Sequence, residues 1–285
     1  MSAKFGPAGA AESFKTMGYK KTIQIGEYLN KFGLDHFEYQ CGQGVRIGEA
    51  PARELGKALS DCGITVSVHA PYFISLSSVE EEKRDNSINY ILASARAVDF
   101  MGGDRIVIHS GSCSKMTREE ALALAKETMK KARQALIDNG LEHIHCCPET
   151  MGKINQLGDL SEVLEICSVD DSFIPTIDFG HLNARTLGSI KTKADYAAIL
   201  DEIENRLGHD RAKIFHSHFS KIEYTEKGGE KKHLTFEDEI YGPQYEPLME
   251  LIYERGLSPT FICESAGTQT EDAQTMKLYY EGLMG

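Results

Sequence analysis

Short apolar runs recur along this chain, and six of them end on a side chain that can carry charge or hold a metal. They are Thr65-Val-Ser-Val-His69, Arg105-Ile-Val-Ile-His109, His145-Cys-Cys-Pro-Glu149, Pro175-Thr-Ile-Asp178, Lys213-Ile-Phe-His216 and Phe261-Ile-Cys-Glu264. Runs of this length bounded by turn residues read as buried strands. The stretches between them carry apolar residues at helical spacing. Ile23, Ile25, Tyr28, Leu29 and Phe32 do so over 20–32, with Gly33 as the stop. Residues 51–62 begin on a proline and are followed by Gly63. Residues 78–101 open on acids and close at Gly102-Gly103. Thr117-Arg-Glu-Glu120 is a capping box ahead of a stripe of Leu122, Ala125, Met129, Ala132 and Leu136. Further helices are predicted over 158–167, 193–207, 247–253 and 271–283. Strands are predicted over 3–9, 36–41, 65–69, 105–109, 143–149, 173–178, 212–218 and 260–264. Eight strands alternating with helices over 285 residues predict an α/β fold, a (β/α)8 TIM barrel whose interior is expected to be apolar. No linker or low-complexity run divides the chain, so a single domain over 1–285 is expected. A doubly wound open sheet competes less well: no GxGxxG follows the first strand, and an open sheet would not gather six strand ends at one point.

Composition narrows the setting. No apolar run approaches the roughly 20 residues of a membrane helix, and the first residues lack the apolar core of a signal peptide. Seven cysteines, an odd number without CxxC spacing, fit buried free thiols in a reducing cytoplasm. A cytoplasmic monomer with no membrane partner is therefore expected. The net charge of −12 runs against binding by phosphate neutralisation over the whole surface, so any nucleic-acid contact has to be local. Arg46, Lys115, Lys153 and Lys221 are the cations expected to make it.

A lone histidine at a strand end ordinarily finds a hydrogen-bond partner and does nothing more. The set is different. His69, His109, Glu149, Asp178, His181, His216 and Glu264 would all converge on one mouth of a barrel. Three carboxylates and four imidazoles suit zinc, manganese or iron, and exceed what one tetrahedral ion needs. Two ions sharing a carboxylate would serve displacement at phosphorus or polarisation of a sugar carbonyl. His216 and His218 lie on one side of their strand, and His233 lies just past a Gly-rich polar insert over 226–232 that could fold back over the mouth. Tyr72 and Phe73 follow the first ligand; at the rim they could stack on a sugar or base. Cys146 and Cys147 point to opposite faces and read as packing, while His36, His143 and His209 read as surface or packing residues.

Taken together, His69-Ala-Pro-Tyr72, His109-Ser-Gly-Ser112, Glu149-Thr-Met-Gly152, Asp178-Phe-Gly-His181, His216-Ser-His-Phe-Ser-Lys221 and Glu264-Ser265 resemble the endonuclease IV family of apurinic/apyrimidinic endonucleases. The resemblance covers nearly the whole chain, in motif order. It implies two or three zinc ions, or manganese in their place. His69, His109 and Glu149 would hold one. Glu149, Asp178, His216 and Glu264 would hold a second. His181 and His233 would contribute to a third. It implies hydrolysis of the phosphodiester 5′ to abasic sites in double-stranded DNA, with Glu149, Glu264 and Asp178 at the reacting centre. Tyr72 and Phe73 would enter the minor groove, and His218 and Lys231 would be further substrate contacts. Lys231 stands where the family carries an aspartate ligand. Three outcomes stay open: Glu230 takes the position, the third site is lost, or the Lys231 ammonium meets the phosphate in place of the ion. The rival reading is a metal-dependent isomerase or epimerase acting on a small sugar or sugar phosphate, with Glu149 and Glu264 as acid and base.

Overall fold

The computed structural model describes residues 2–285. Among them the chain forms ten strands and eleven helices, the alternation that the apolar pattern predicts. The strands are β1 (Lys4–Pro7), β2 (His36–Gln40), β3 (Thr65–His69), β4 (Arg105–His109), β5 (His145–Glu149), β6 (Thr176–Asp178), β7 (His216–Phe219), β8 (Lys221–Thr225), β9 (Gly229–Leu234) and β10 (Thr260–Cys263). The helices are α1 (Glu12–Thr16), α2 (Ile25–Lys31), α3 (Glu49–Asp61), α4 (Glu81–Phe100), α5 (Arg118–Asp138), α6 (Leu160–Cys167), α7 (Phe179–Arg185), α8 (Lys193–Leu207), α9 (His209–Lys213), α10 (Glu246–Glu254) and α11 (Gln269–Gly282).

Eight strands pair in parallel in the order β1-β10-β7-β6-β5-β4-β3-β2. The two ends meet through a bridge between Ala8 and Glu38 and a hydrogen bond from Asp35 N to Phe5 O, which makes the sheet a TIM barrel. That closure requires Gly6: a Cβ there would lie 1.9 Å from the carbonyl oxygen of His36.

The large apolar core lies between the outward faces of the strands and the helices, with Val68, Ile106, Ile108, Cys146, Phe215 and Phe261 on the strand side. The inside of the barrel departs from expectation. Its apolar plug is small, consisting of Val107, Cys147 and Ile174. The remaining inward positions include His36, Glu38, Ser67, Thr176, His216 and His218, all buried. Cys146 and Cys147 do face opposite ways.

Local departures have local causes. The expected strand over 212–218 begins only at His216, because α9 follows directly on Gly208 and occupies the first of those residues. Asp178 ends β6 and leads directly into α7. Its side chain caps α7, with Oδ1 accepting from His181 N at 2.7 Å. The insert is an antiparallel hairpin, β8–β9, turning at 226–228. The Thr117 capping box of α5 forms as predicted.

Candidate metal centre

Glu149, the last residue of β5, is the hub. Parallel register sets it beside His109 of β4 and Thr176 of β6, and sets Asp178 of β6 beside His218 of β7. Its Oε2 lies 3.5 Å from His69 Nε2 and 3.4 Å from His109 Nε2. Its Oε1 lies 2.9 Å from His218 Nδ1 and 3.5 Å from His181 Nδ1. Glu264, one residue beyond β10, approaches His218 Nδ1 at 3.5 Å. His181 turns its other nitrogen to Glu230 Oε2 at 3.5 Å, and His233 stands 3.9 Å from Glu230 and from Glu264.

Three groups of donor atoms result at the mouth, each within 4.8 Å of one another: His69–Glu149–His218, Glu149–Asp178–His218–Glu264 and His181–Glu230–His233; a fourth, Glu38–His216–His218, lies deeper in the barrel. Two observations fit these residues to divalent ions. Glu149 Oε2 and Asp178 Oδ2 are buried and accept no hydrogen bond, while imidazole nitrogens stand 3.4–3.5 Å from the first and 3.1 Å from the second, a spacing at which nitrogen and oxygen can share an ion. One nitrogen of each of three rings also has a hydrogen-bond partner: His69 Nδ1 has Ala70 O, His181 Nδ1 has Thr150 O and His233 Nδ1 has Ser220 Oγ. Such backing orients imidazoles that bind metals.

Charge is balanced within the cluster. Burial alone would raise the Glu149 carboxyl, but His218, His181 and His69 hold it well below the usual range. Burial would lower His181, yet Asp178, Glu149 and Glu230 carry it up to about 10. Burial does push His109 down to about 3, leaving a neutral ring with a free lone pair.

The centre opens into a cavity of about 690 Å3 lined by His69, Tyr72, His109, Glu149, His181, Glu230, His233 and Glu264, with Gln40, Lys153, Gln156 and Gln269 at its edge. Tyr72 is 56% exposed and stacks on His109 with ring centroids 5.3 Å apart. Phe73 is also half exposed but packs edge-on against Tyr90, away from the cavity lining.

Three expected site residues are placed differently. His216 does not join Glu149, Asp178 and Glu264. It is fully buried deeper in the barrel, Nε2 bonded to Glu38 Oε2 at 2.9 Å, and His218, two residues on, supplies the nitrogen at the mouth. His218 is itself fully buried, so it faces the carboxylates and not the cavity where a substrate would sit. Lys231 points away, its ammonium on Glu223 at 2.5 Å.

A β-bulge explains Lys231. Tyr224 pairs with Glu230 and Glu223 with Lys232, leaving Lys231 as the extra residue. Glu230 and His233 are three apart and would face opposite ways on a regular strand; the extra residue lets them share a face. Lys221 is also lost to any phosphate, since its buried ammonium donates to Phe236 O at 2.8 Å and Asp238 O at 2.5 Å. Arg46 and Lys153 remain exposed near the cavity, Arg46 beside Tyr72 in a side pocket.

Glu230 stands with His181 and His233, the first of the three outcomes left open at Lys231, whereas Glu38 was not among the expected site residues. Glu38 had a signal: His36, Glu38 and Gln40 form an all-polar face at spacing two, inside a strand whose other face is Phe37 and Tyr39. His36, taken as a surface or packing residue, is buried against Ser67 at 2.9 Å. His143 and His209 are exposed, as expected.

A family profile described as a xylose isomerase-like TIM barrel matches residues 27–281. An uncharacterized protein of Methanocaldococcus jannaschii is 33% identical over 275 residues, spanning 96% of this chain and 94% of its own. A probable endonuclease 4 of Mycoplasma genitalium is 27% identical over 158 residues, 54% of this chain and about half, 52%, of that protein. Among solved structures, a 3-keto-D-glucoside 4-epimerase from E. coli superposes with a TM-score of 0.69 at 15% identity, covering 99% of this chain and 100% of that one. Endonuclease IV of Thermus thermophilus superposes with a TM-score of 0.66 at 16% identity, covering 93% and 96%. Likeness at these identities is one of fold.

Proposed function

The chain belongs to the xylose isomerase-like TIM barrel family, and we propose that within it the protein is a multinuclear metal-dependent phosphodiesterase, cleaving DNA on the 5′ side of abasic sites. The observation that carries this reading is the presence of three ligand groups at the floor of one cavity, two of them sharing Glu149 and His218. Three groups suit a phosphate whose attacking and departing oxygens are both stabilised. The resemblance of the motifs to endonuclease IV, and relatives named as probable endonuclease 4, support the same choice.

The nitrogen and oxygen donors favour zinc, with manganese as the alternative. His69, His109 and Glu149 would hold one ion; Glu149, Asp178, His218 and Glu264 a second; His181, Glu230 and His233 a third. Bound there, the ions would supply Lewis acidity toward a phosphoryl oxygen and lower the pKa of water. The chain's own part is orientation. Glu149 and Asp178 each present a buried oxygen that accepts no hydrogen bond. Tyr72, half exposed over His109, offers a face on which a sugar or unstacked base can rest. Lys153 and Arg46 are the cations left to meet a DNA backbone.

A second reading has its own support. Glu149, Asp178, His218 and Glu264 form a complete single-ion site without the other residues, and the net charge is −12. Those features suit epimerisation of a small sugar or sugar phosphate.

The test is cleavage of an end-labelled duplex carrying one abasic analogue, by metal-loaded protein with and without chelator. A single chelator-sensitive cut 5′ to the lesion is expected, absent in Glu149→Gln. Metal-bound protein that leaves the duplex intact while epimerising a small sugar would replace the nuclease with the second reading.

A further inference from the structure

Beneath the metal centre the barrel holds a second polar layer that a core would ordinarily exclude. Glu38 lies at its middle, fully buried. Four donors surround its two oxygens. Oε2 faces Ser67 Oγ at 3.0 Å and His216 Nε2 at 2.9 Å. Oε1 faces Gln40 Nε2 at 3.2 Å and His218 Nε2 at 3.0 Å, the last in ion-pair contact but tilted off the hydrogen-bonding line.

Proton counting fixes the direction of these contacts. Ser67 has one proton and gives it to Glu38, so it accepts from His36 Nε2 at 2.9 Å. His216 Nδ1 has no partner, so its single proton sits on Nε2 and also points at Glu38. A carboxyl ringed by donors is an acceptor-only anion. The nitrogen of His218 that faces it must therefore carry hydrogen. Its other nitrogen, Nδ1, faces Glu149 Oε1 at 2.9 Å and Glu264 Oε1 at 3.5 Å, so that a bound ion would take the place of a proton there.

We infer that Glu38 is a positioning residue: its buried carboxylate fixes the tautomer and ring plane of His218, so that Nδ1 presents a lone pair to the ion held with Glu149, Asp178 and Glu264. His69, His181 and His233 each have one ring nitrogen hydrogen-bonded to a carbonyl or a hydroxyl, whereas the Nε2 of His218 meets the buried carboxylate of Glu38 at 3.0 Å. A carboxylate behind an imidazole raises its basicity as well as orienting it. The inference rests on the metal-centre part of the proposed function and not on the identity of the substrate.

Zinc affinity of the full chain, measured by competition with a chromophoric chelator, tests it together with long-range 1H–15N spectra of the zinc-loaded protein. Glu38→Gln is expected to bind zinc roughly 10- to 100-fold more weakly and to lose the Nε2–H signature of His218. Ser67→Ala, which removes one donor to Glu38, is expected to lie between wild type and Glu38→Gln, and carries the test if Glu38→Gln does not fold. A folded variant with wild-type affinity and an unchanged His218 tautomer overturns the inference. Wild-type protein that takes up no zinc overturns it along with the metal centre. Wild-type protein that binds zinc but cuts no abasic duplex overturns only the nuclease reading.

Discussion

At the scale of single residues, the third ligand group depends on the absence of a side chain. Gly152 follows the β5 strand end by three residues, and a Cβ there would lie 2.6 Å from Glu230 Cβ and 2.8 Å from His181 Cδ2. Gly152→Ala is thus expected to separate Glu230 from His181 while leaving Glu149 and its partners in place. On the three-ion reading, elemental analysis should find one ion fewer per chain in a protein that still melts cooperatively. An unchanged ion count would mean that the group does not bind metal. Residues of this kind divide sharply in how readable they are from sequence. His69, His109, Glu149, Asp178 and Glu264 were legible because each ends an apolar run, and the end of a barrel strand is a fixed address. His216 and His218 were not separable, since both lie on the same face of β7 and only depth in the barrel tells them apart. Glu230 was a candidate only through the family resemblance, since the bulge that brings it to the face of His233 leaves no mark in the residue pattern.

At the scale of elements, the loop over 150–158 is clamped from three sides. Arg118 of α5 donates to Ile154 O, Gln156 O and Glu162, and Arg185 of α7 donates to Met151 O, Ile154 O and Gln156 O. Glu162 of α6 accepts from Gly158 N at 2.7 Å and Asp159 N at 2.9 Å. Burial opposes the charge on Glu162, but Arg118 and the two backbone donors together hold its carboxyl below the usual range. A carboxyl depressed in the folded state contributes stability that is complete above its unfolded value, roughly pH 4, and is lost as pH falls through the folded value. Glu162→Gln is expected to cost about 1–3 kcal/mol at pH 7, with the gap to wild type narrowing in acid. Urea unfolding at both pH values checks this, and a gap that does not shrink would show that the charge is not what holds the loop. The capping box that opens α6, Asp159 with Glu162, is visible in the sequence. The clamp is not, because Arg118 lies 44 residues from Glu162.

At the scale of the whole molecule, the barrel is organised around polar contents. Its outer core is apolar and extensive, while its interior holds a plug of three apolar residues beneath layers of histidine and carboxylate. That division was hidden from pattern reading, because inward positions of a barrel strand are presumed apolar and an acid among them looks like a surface residue. It ties stability to cargo. Ions that bind only the native barrel raise its stability by about 2.7 kcal/mol at a hundredfold excess over Kd. Melting in zinc and in chelator should differ by several degrees. Coincident curves would place the ligand groups outside any functional ion site. No helix among the described residues is long and apolar enough to cross a membrane.

The extra residue in β9 has one more consequence. Facing is a matter of parity on a strand, and Lys231 changes the parity between Glu230 and His233. Removing that one codon would leave every ligand in the gene and yet turn one of them outward. Descent within such a lineage could therefore add or discard a third ion by a single in-frame insertion or deletion, with no ligand residue substituted at all.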